Sequence, residues 1–385
     1  MIKTNKKLRY ILCSAALLLC IIPAVLPISG ADSTASMPEN FGSVYDALPD
    51  DVKELLPDGT FSDNVNEVAE AAKKMSTADY IFSVIGEITG AKLGQALRLL
   101  AQIVGLLVLS AVFGTFRTSV KSEALSRVVG YCTTCAIFAA IMDIQYRTLC
   151  GIEEFFGKLN TLMLSMIPVT GAVYAMGGNV STAAAGSSTL YAFLAVSENI
   201  CSATVVPVGC VCTALALCQT LSGAVNLKGI SGVIKKTYTF LLGMIMTVLV
   251  SVLGAQTAIS SAADSTAARA AKIVTSSVIP VVGGSVGDTL RTVGAGMQYM
   301  RSVVGITGII FILLLLLPTL INLLLTRLAF LLAGGAADML GCESESKLLS
   351  ELGNIYGCLC AVVSMTSVMF ILALTIFIKC VSATG

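Results

Sequence analysis

Long apolar runs without a charge are the feature that most limits what this chain can fold into. The strongest run covers residues 303–325, and residues 355–378 form a second one. A helix needs about 20 apolar residues to cross the hydrocarbon core of a bilayer, and both runs reach that length. Only 12% of the 385 residues are charged, whereas about 25% are charged in a soluble domain. The mean hydropathy is +0.88. The chain is therefore predicted to be an all-α, polytopic membrane protein.

The absence of histidine and the near-zero net charge exclude several functions. The chain has no histidine, which excludes Ser-His and Cys-His nucleophile pairs and histidine metal sites. A net charge of +1 gives no electrostatic reason to expect nucleic-acid binding. Most of the 13 cysteines lie in apolar runs, where cysteine acts as a small hydrophobe. Cys132 and Cys135 form a C-x-x-C pair inside an expected span, with no base nearby. We predict no enzymatic activity, cofactor or metal.

Residues 1–31 have the features of a secretory signal peptide. Four basic residues between Lys3 and Arg9 precede a short apolar stretch, and Pro23 and Pro27 then interrupt it. Ser29 and Ala31 provide the small residues that a signal peptidase needs for a cut before Asp32. An uncleaved first span is the alternative. In either case the following segment is expected to be exported.

Residues 32–92 are the only sizeable hydrophilic segment. Eleven acidic and three basic residues lie between Asp32 and Asp79, which gives a net charge of −8. Ser62 is placed to cap a helix that runs to Met75, with Val65, Val68, Ala72 and Met75 on one face. The segment has few large apolar residues and predicts a weak core at best. It is either a solvated exterior tail or a docking site for an exported partner.

Seven to nine crossings are expected from the apolar runs. The expected spans are residues 96–114, 128–144, 161–178, 181–197, 200–222, 238–258, 303–325 and 355–378, with 276–300 uncertain. Basic residues at 117, 121 and 127 indicate a cytoplasmic loop, and the charge-balanced residues 145–160 are expected outside. The basic residues at 228, 235 and 236 indicate a second cytoplasmic loop, which requires an even number of crossings between the two. Asp264, Arg269 and Lys272 then fall on the exterior side.

An internal repeat is indicated at an offset of 112 residues. The run from Ser165 to Gly171 resembles the run from Ser277 to Gly283, and residues 223–229 resemble residues 335–341. Pro207 and Pro318 fall within one residue of the same register. The chain is therefore divided into residues 93–160 (a first pair of spans), 161–272 (first repeat) and 273–385 (second repeat).

Transporter sites often lie where Gly- or Pro-interrupted segments occupy matching positions in two repeats. Here the expected breaks are at Ile167-Pro168 and Ile279-Pro280. A proline-kinked helix packed through small residues is the alternative. Asp288 and Arg291 lie at i,i+3 and can form an ion pair on a helix. Arg269 and Lys272 are also three residues apart and form a patch of two basic residues. The expected pore, cavity or coupling residues are Pro168, Gly171, Asp264, Arg269, Lys272, Pro280, Gly283, Gly284, Asp288 and Arg291.

Three features together resemble the stage III sporulation protein AE family of endospore-forming bacteria. The first is a run from Gln256 through Asp264 and Arg269 to Lys272. The second is Pro-Val-Val-Gly at residues 280–283, followed by Asp288. The third is the order of signal peptide, acidic exported segment and several spans, which covers nearly the whole chain.

The resemblance implies a permease-like subunit of a channel, or feeding tube, that joins mother cell and forespore. It implies a place in the mother-cell membrane around the forespore, with an exported N-terminal segment. The implied partners are membrane lipid, the other stage III sporulation A-operon proteins, including a cytoplasmic ATPase and ring-forming proteins, and stage II sporulation protein Q. A homo-oligomer is also expected as an option. Two other functions stay open, namely a scaffold that recruits ring proteins and a stand-alone secondary transporter.

Overall fold

The regular structure of the described residues is helical. The computed structural model describes residues 37–119, 123–176, 180–221, 228–278 and 283–379. A 3-10 turn, Glu39–Phe41, precedes nine α-helices in these ranges. They are α1 Gly42–Ala47, α2 Asp50–Lys53, α3 Val65–Met75, α4 Ala78–Ser119, α5 Glu123–Met176, α6 Val180–Leu221, α7 Lys228–Val278, α8 Gly283–Met339 and α9 Glu343–Lys379. This agrees with the predicted all-α class.

Six of these helices, α4 to α9, are long and apolar enough to cross a membrane in the described part of the chain. Their candidate spans are Ala78–Val112, Thr134–Met176, Ala183–Thr220, Gly229–Ser260, Gln298–Met339 and Glu343–Ile376. Helix α8, with 57 residues, is about 85 Å long, far more than a bilayer core of about 30 Å requires. This helix is therefore much longer than one crossing needs.

In the described residues six candidate spans are found where seven to nine crossings were expected, because two expected pairs each lie in one continuous helix. Residues 128–144 and 161–178 both fall largely in α5, and residues 181–197 and 200–222 in α6. The charged residues 145–160, expected to be an exterior loop, are helical. Ion pairs between Arg147 and Asp143 (3.0 Å) and between Lys158 and Glu154 (2.8 Å) lie on this part of α5. Two helices, an even number, still separate the two basic loops.

Proline does not break the helices in which it is described. Pro168 lies inside α5, Pro207 inside α6 and Pro318 inside α8. The expected break at Ile167-Pro168 is therefore wrong, because the helix continues through Pro168. Near this proline, the Thr170 hydroxyl donates to the Met166 carbonyl at 2.7 Å, a local side-chain bond within the continuous helix.

The six long helices pack as one bundle around α8 and α9. Helix α8 contacts α9, α4 and α5, while α9 also contacts α7 and α6. Helices α5, α6 and α7 pack consecutively against one another. Tyr356 and Phe330 meet edge to face between α8 and α9, with ring centroids 5.2 Å apart. The order of packing leaves α5 and α7 on different sides of the bundle.

The amino-terminal segment, defined here as residues 37–77, folds back onto the long helices. Its helix α3 buries the expected face, Val65, Val68, Ala72 and Met75. The cap is Asn64, whose side chain accepts from the Asn66 amide, and not Ser62.

Aromatic residues hold the amino-terminal segment in place. The Phe61 ring stacks on Phe311 of α8 at 5.4 Å, and the Tyr80 hydroxyl of α4 donates to the Leu55 carbonyl at 2.5 Å. Phe41 and Tyr45 also contact the Phe61 ring. The segment is therefore a docked part of the bundle, which corrects the expectation of a solvated tail.

Candidate functional site

Contacts between helices define one layer across the middle of the bundle. The Ser202 hydroxyl of α6 donates to Glu153 Oε1 of α5 at 3.2 Å. Next to Ser202, Cys201 Sγ lies 4.0 Å from Thr366 Oγ1 of α9. A Cβ placed on Gly243 of α7 would lie 3.0 Å from Met365 Sδ of α9. Residues 153, 202, 366 and 243 therefore lie at one level, which we call the middle layer.

At the middle layer, α7 and α9 are apolar. Residues 237–263 and 352–378 contain no charged residue and pass through this level. Large apolar side chains on the outer face of α7 are exposed above and below it: Phe240, Leu241, Met244, Val248, Val252 and Ile259. Such a surface suits contact with lipid chains.

At the same level, α5 is charged. Asp143, Arg147, Glu154 and Lys158 have 66, 77, 66 and 41% of their side chains exposed. We call these four residues with Glu153 the polar stripe. Arg147, Glu154, Thr161 and Pro168 follow one another at seven-residue spacing, and all four are exposed. Pro168, an expected site residue, therefore continues the face of the polar stripe.

A groove beside the polar stripe joins four elements. Its volume is about 180 Å³, and its lining includes Asp51 of α2, Lys92 of α4, Arg147 of α5 and Asn322 of α8. Pro318 and Thr319 complete its α8 wall. Lys92, Arg147 and Asn322 lie within three candidate spans, where ionisable residues usually mark a functional path. Asp51 of α2 adds a carboxylate from outside the spans.

Sequence reasoning missed this groove, although one signal was present. In the sequence, Pro318 was used only to align the second repeat with the first. Asn322, four residues later in an otherwise apolar run, lies on the same helical face. The lysine, arginine and aspartate come from distant segments, so only packing brings them to the proline.

Polar contacts between helices hold α5 in its orientation. The Tyr356 hydroxyl of α9 donates to Thr148 Oγ1 at 3.1 Å, and the Gln145 amide donates to Thr213 Oγ1 of α6 at 3.1 Å. The Asn160 amide donates to the Glu198 carboxylate. Glu198 lies on continuous helix α6 and binds α5 through this contact.

One cation is buried away from the polar stripe. Arg327 of α8 is 7% exposed, and its Nε and Nη1 have no hydrogen-bond partner among the described residues. Its guanidinium covers Gly357 of α9, where an added Cβ would lie 3.0 Å from Cζ. Glycine at this position therefore makes room for the cation between the two helices.

The expected site residues in the first repeat have different surroundings. Pro168 is exposed, whereas Gly171 faces α6, where an added Cβ would lie 3.4 Å from Ser187 Oγ. Gly171 therefore allows close helix packing. Of the two repeat motifs, residues 165–171 lie inside α5, whereas residues 279–282 of the second motif lie outside the described residues.

The remaining expected site residues are described in part. Asp264, Arg269 and Lys272 lie on α7, and Gly283, Gly284, Asp288 and Arg291 lie in the first turns of α8. For the charged residues in this set only the backbone is described, and Pro280 lies outside the described residues. Their pore or coupling role stays a prediction.

The chain is similar to proteins of one family. The family model described as stage III sporulation protein AE matches residues 60–381. A curated relative, stage III sporulation protein AE of Bacillus subtilis (strain 168), is 19% identical over 350 residues, which are 90% of this chain and 87% of the relative. No solved structure matches the chain. The matched range contains all six apolar helices and begins inside the amino-terminal segment.

Proposed function

The chain belongs to the stage III sporulation protein AE family, and from this premise we propose that it is the permease-like membrane subunit of a channel complex between mother cell and forespore. The observation that carries the proposal is the polar stripe, whose exposed charges lie at a level where α7 and α9 have none. Charged residues in membrane segments generally face a bundle interior or water. A channel subunit needs a side that faces water within the membrane, and a simple membrane anchor does not.

The proposal includes location and partners. The subunit would lie in the mother-cell membrane around the forespore, with its amino-terminal segment exported. It would act with the other stage III sporulation A-operon proteins, including a cytoplasmic ATPase and ring-forming proteins, and with stage II sporulation protein Q. Family membership and the six apolar helices support this placement.

A scaffold that recruits ring proteins is the second candidate. It is favoured by the amino-terminal segment, where docking buries the apolar residues and leaves nine acidic residues exposed: Glu39, Asp46, Asp50, Asp51, Glu54, Asp58, Asp63, Glu67 and Glu70. Such a surface suits a basic partner. A scaffold needs this surface and has no need of the polar stripe.

One pair of matched double variants separates the two functions. Glu154→Ala with Lys158→Ala removes an exposed i,i+4 ion pair from the polar stripe. Glu343→Ala with Lys347→Ala removes a similar pair, 3.3 Å long, from the start of α9. Each pair contributes only about 0.3–0.5 kcal/mol to stability, so the protein level should be unchanged in both. Spore yield and partner recruitment are then measured in the host.

The channel function predicts that only the polar-stripe variant lowers spore yield, while recruitment persists. Equal spore yield from the two variants would reject a role of the polar stripe in conduction. Deleting residues 37–59, which precede the family match, tests the scaffold. Lost recruitment with an intact polar stripe would favour it.

A further inference from the structure

We infer that identical copies of this chain pack around a common axis with their polar stripes inward, enclosing a water-filled path at membrane depth. The inference rests on the proposed function and names what lines the path and which partner closes it. Three observations lead to it: the depth of the polar stripe, the position of the amino-terminal segment, and the charge balance of the shared surface.

The first observation is that lipid does not suit the polar stripe. The middle layer places Glu153 level with Gly243 of α7, inside the charge-free stretch 237–263. The ion pairs Arg147–Asp143 and Lys158–Glu154 reduce the net charge but leave all four side chains exposed. In a single chain these groups would contact hydrocarbon at the level of the α7 span. Water or protein must therefore cover them.

The second observation is that the amino-terminal segment places acidic residues at nearly the same depth. Phe61 anchors it to Phe311, which lies within the most apolar run, 303–325. Gly308, one turn from Phe311, meets Leu374 of α9, where an added Cβ would lie 2.9 Å from Cδ2. This contact lies within the charge-free stretch 352–378 of α9. The exposed acids of the segment are thus held beside apolar spans, and an aqueous space on that side would accommodate them.

The third observation selects the partner. The polar stripe with Lys92 and Asp51 of the adjoining groove comprises four acids and three bases: Asp51, Asp143, Glu153, Glu154, Lys92, Arg147 and Lys158. A nearly neutral surface of mixed charges has no preference for a strongly acidic or strongly basic protein. It suits water and the same surface of another copy. Because α7 is apolar on its outer face, copies arranged in this way all present an apolar side to lipid.

The path would have a defined charge preference. The amino-terminal segment contains nine acidic and three basic residues in positions 37–77. These acids would face the path at nearly the depth of the polar stripe, whose three acids and two bases carry a net charge of −1. An acidic ring concentrates cations and repels anions. The expected solutes are therefore cations or positively charged molecules.

Two single-cysteine changes at one depth test the aqueous path. Glu154→Cys places a thiol on the polar stripe, and Met244→Cys places one on α7 beside Gly243 of the middle layer. The full-length variants are treated in native membranes with a membrane-impermeant maleimide. Modification is measured at the introduced residue by mass spectrometry, so the native cysteines do not interfere. We expect modification at 154 to be about tenfold faster or more, because thiolate forms in water and not in lipid.

A bifunctional maleimide tests the identity of the partner. Glu154→Cys should give dimers and higher species of this chain above the background of the unmodified sequence, and Met244→Cys should not. Equal modification at the two positions would overturn the aqueous path. If residue 154 is modified but no cross-linked species appear above the background, the inference that identical copies enclose the path is overturned. If both inferred results are obtained but the polar-stripe variant sporulates normally, the proposed function fails and this inference stands.

Discussion

Helices α5 and α7 have similar lengths, 54 and 51 residues, and both pack against α6. At the middle layer they differ completely: α5 exposes two ion pairs, and α7 exposes Met244 and Val248. Helical propensity cannot explain this difference, because both form continuous helices. From this difference we expect the two sides of the bundle to meet different surroundings at one depth. Hydrocarbon suits the α7 side, and water or protein suits the α5 side.

The largest expected effect comes from moving a charge to the apolar side. Val248→Arg places a cation on the exposed face of α7, where insertion costs about 2.5–3.5 kcal/mol for a charge at the centre of a span. The amount of chain recovered in the membrane fraction should fall strongly. Thr161→Arg on the face of the polar stripe is the control and should insert normally. Normal insertion of Val248→Arg would remove the distinction between the two sides.

A smaller effect is expected from separating α5 and α6. A Cβ on Gly209 of α6 would lie 2.4 Å from Leu149 Cδ2 of α5. Gly209→Val should lower stability by about 1–3 kcal/mol through overpacking, measured by thermal unfolding in detergent. Gly94→Ala is the control, because no atom lies within 4 Å of its added Cβ. An unchanged melting temperature for Gly209→Val would mean that α5 is not held by this contact.

The docking of the amino-terminal segment can be weakened at one ring. Phe61→Ala removes the stacking on Phe311, and such aromatic pairs contribute about 0.5–1.5 kcal/mol beyond the area they bury. The segment should then be cleaved faster by added protease in a right-side-out preparation. Phe82→Ala, which removes a ring that is 66% exposed, should leave the cleavage rate unchanged. Equal protection in both variants would show that the segment is held by other contacts.

The smallest expected effect concerns a single hydrogen bond between α9 and α5. Tyr356→Phe removes the donor to Thr148 Oγ1, and such bonds in membrane bundles average about 0.6 kcal/mol. The melting temperature should decrease slightly, and this decrease should be absent when Thr148 has already been replaced by Val. Additive losses in the double variant would indicate that the two side chains do not interact.

Much of the fold could be predicted because local patterns determine it. The buried face of α3 and the strongest spans follow from apolar periodicity and from charge-free length. The number of crossings expected between the two basic stretches was even, namely four. The structure has two helices between them, α5 and α6, which is again an even number. The error at 145–160 arose because charges were taken as a sign of a loop. Ion pairs at i,i+4 let the same charges continue a helix, and hydropathy alone cannot separate these outcomes.

The candidate site depended far more on packing. Pro168 could be identified as unusual from the sequence, but its place on the polar stripe follows from the orientation of α5 against α6 and α9. Lys92, Arg147 and Asn322 are too far apart in the chain for spacing to connect them. The pore role of residues 264–291 rests on the sequence alone, because the structure does not describe their charged side chains.

The sequence by itself determined that this is a helical membrane protein of the stage III sporulation protein AE family, since length without charge and local motifs survive in any arrangement of the helices. Tertiary structure decided how many helices carry those runs and which of their charges lie beside apolar neighbours. The physical reason is that depth is a relation between helices. The depth of Glu153 follows from its contact with Ser202 and from the position of Thr366 and Gly243 at the same level. No local pattern in the sequence contains that relation.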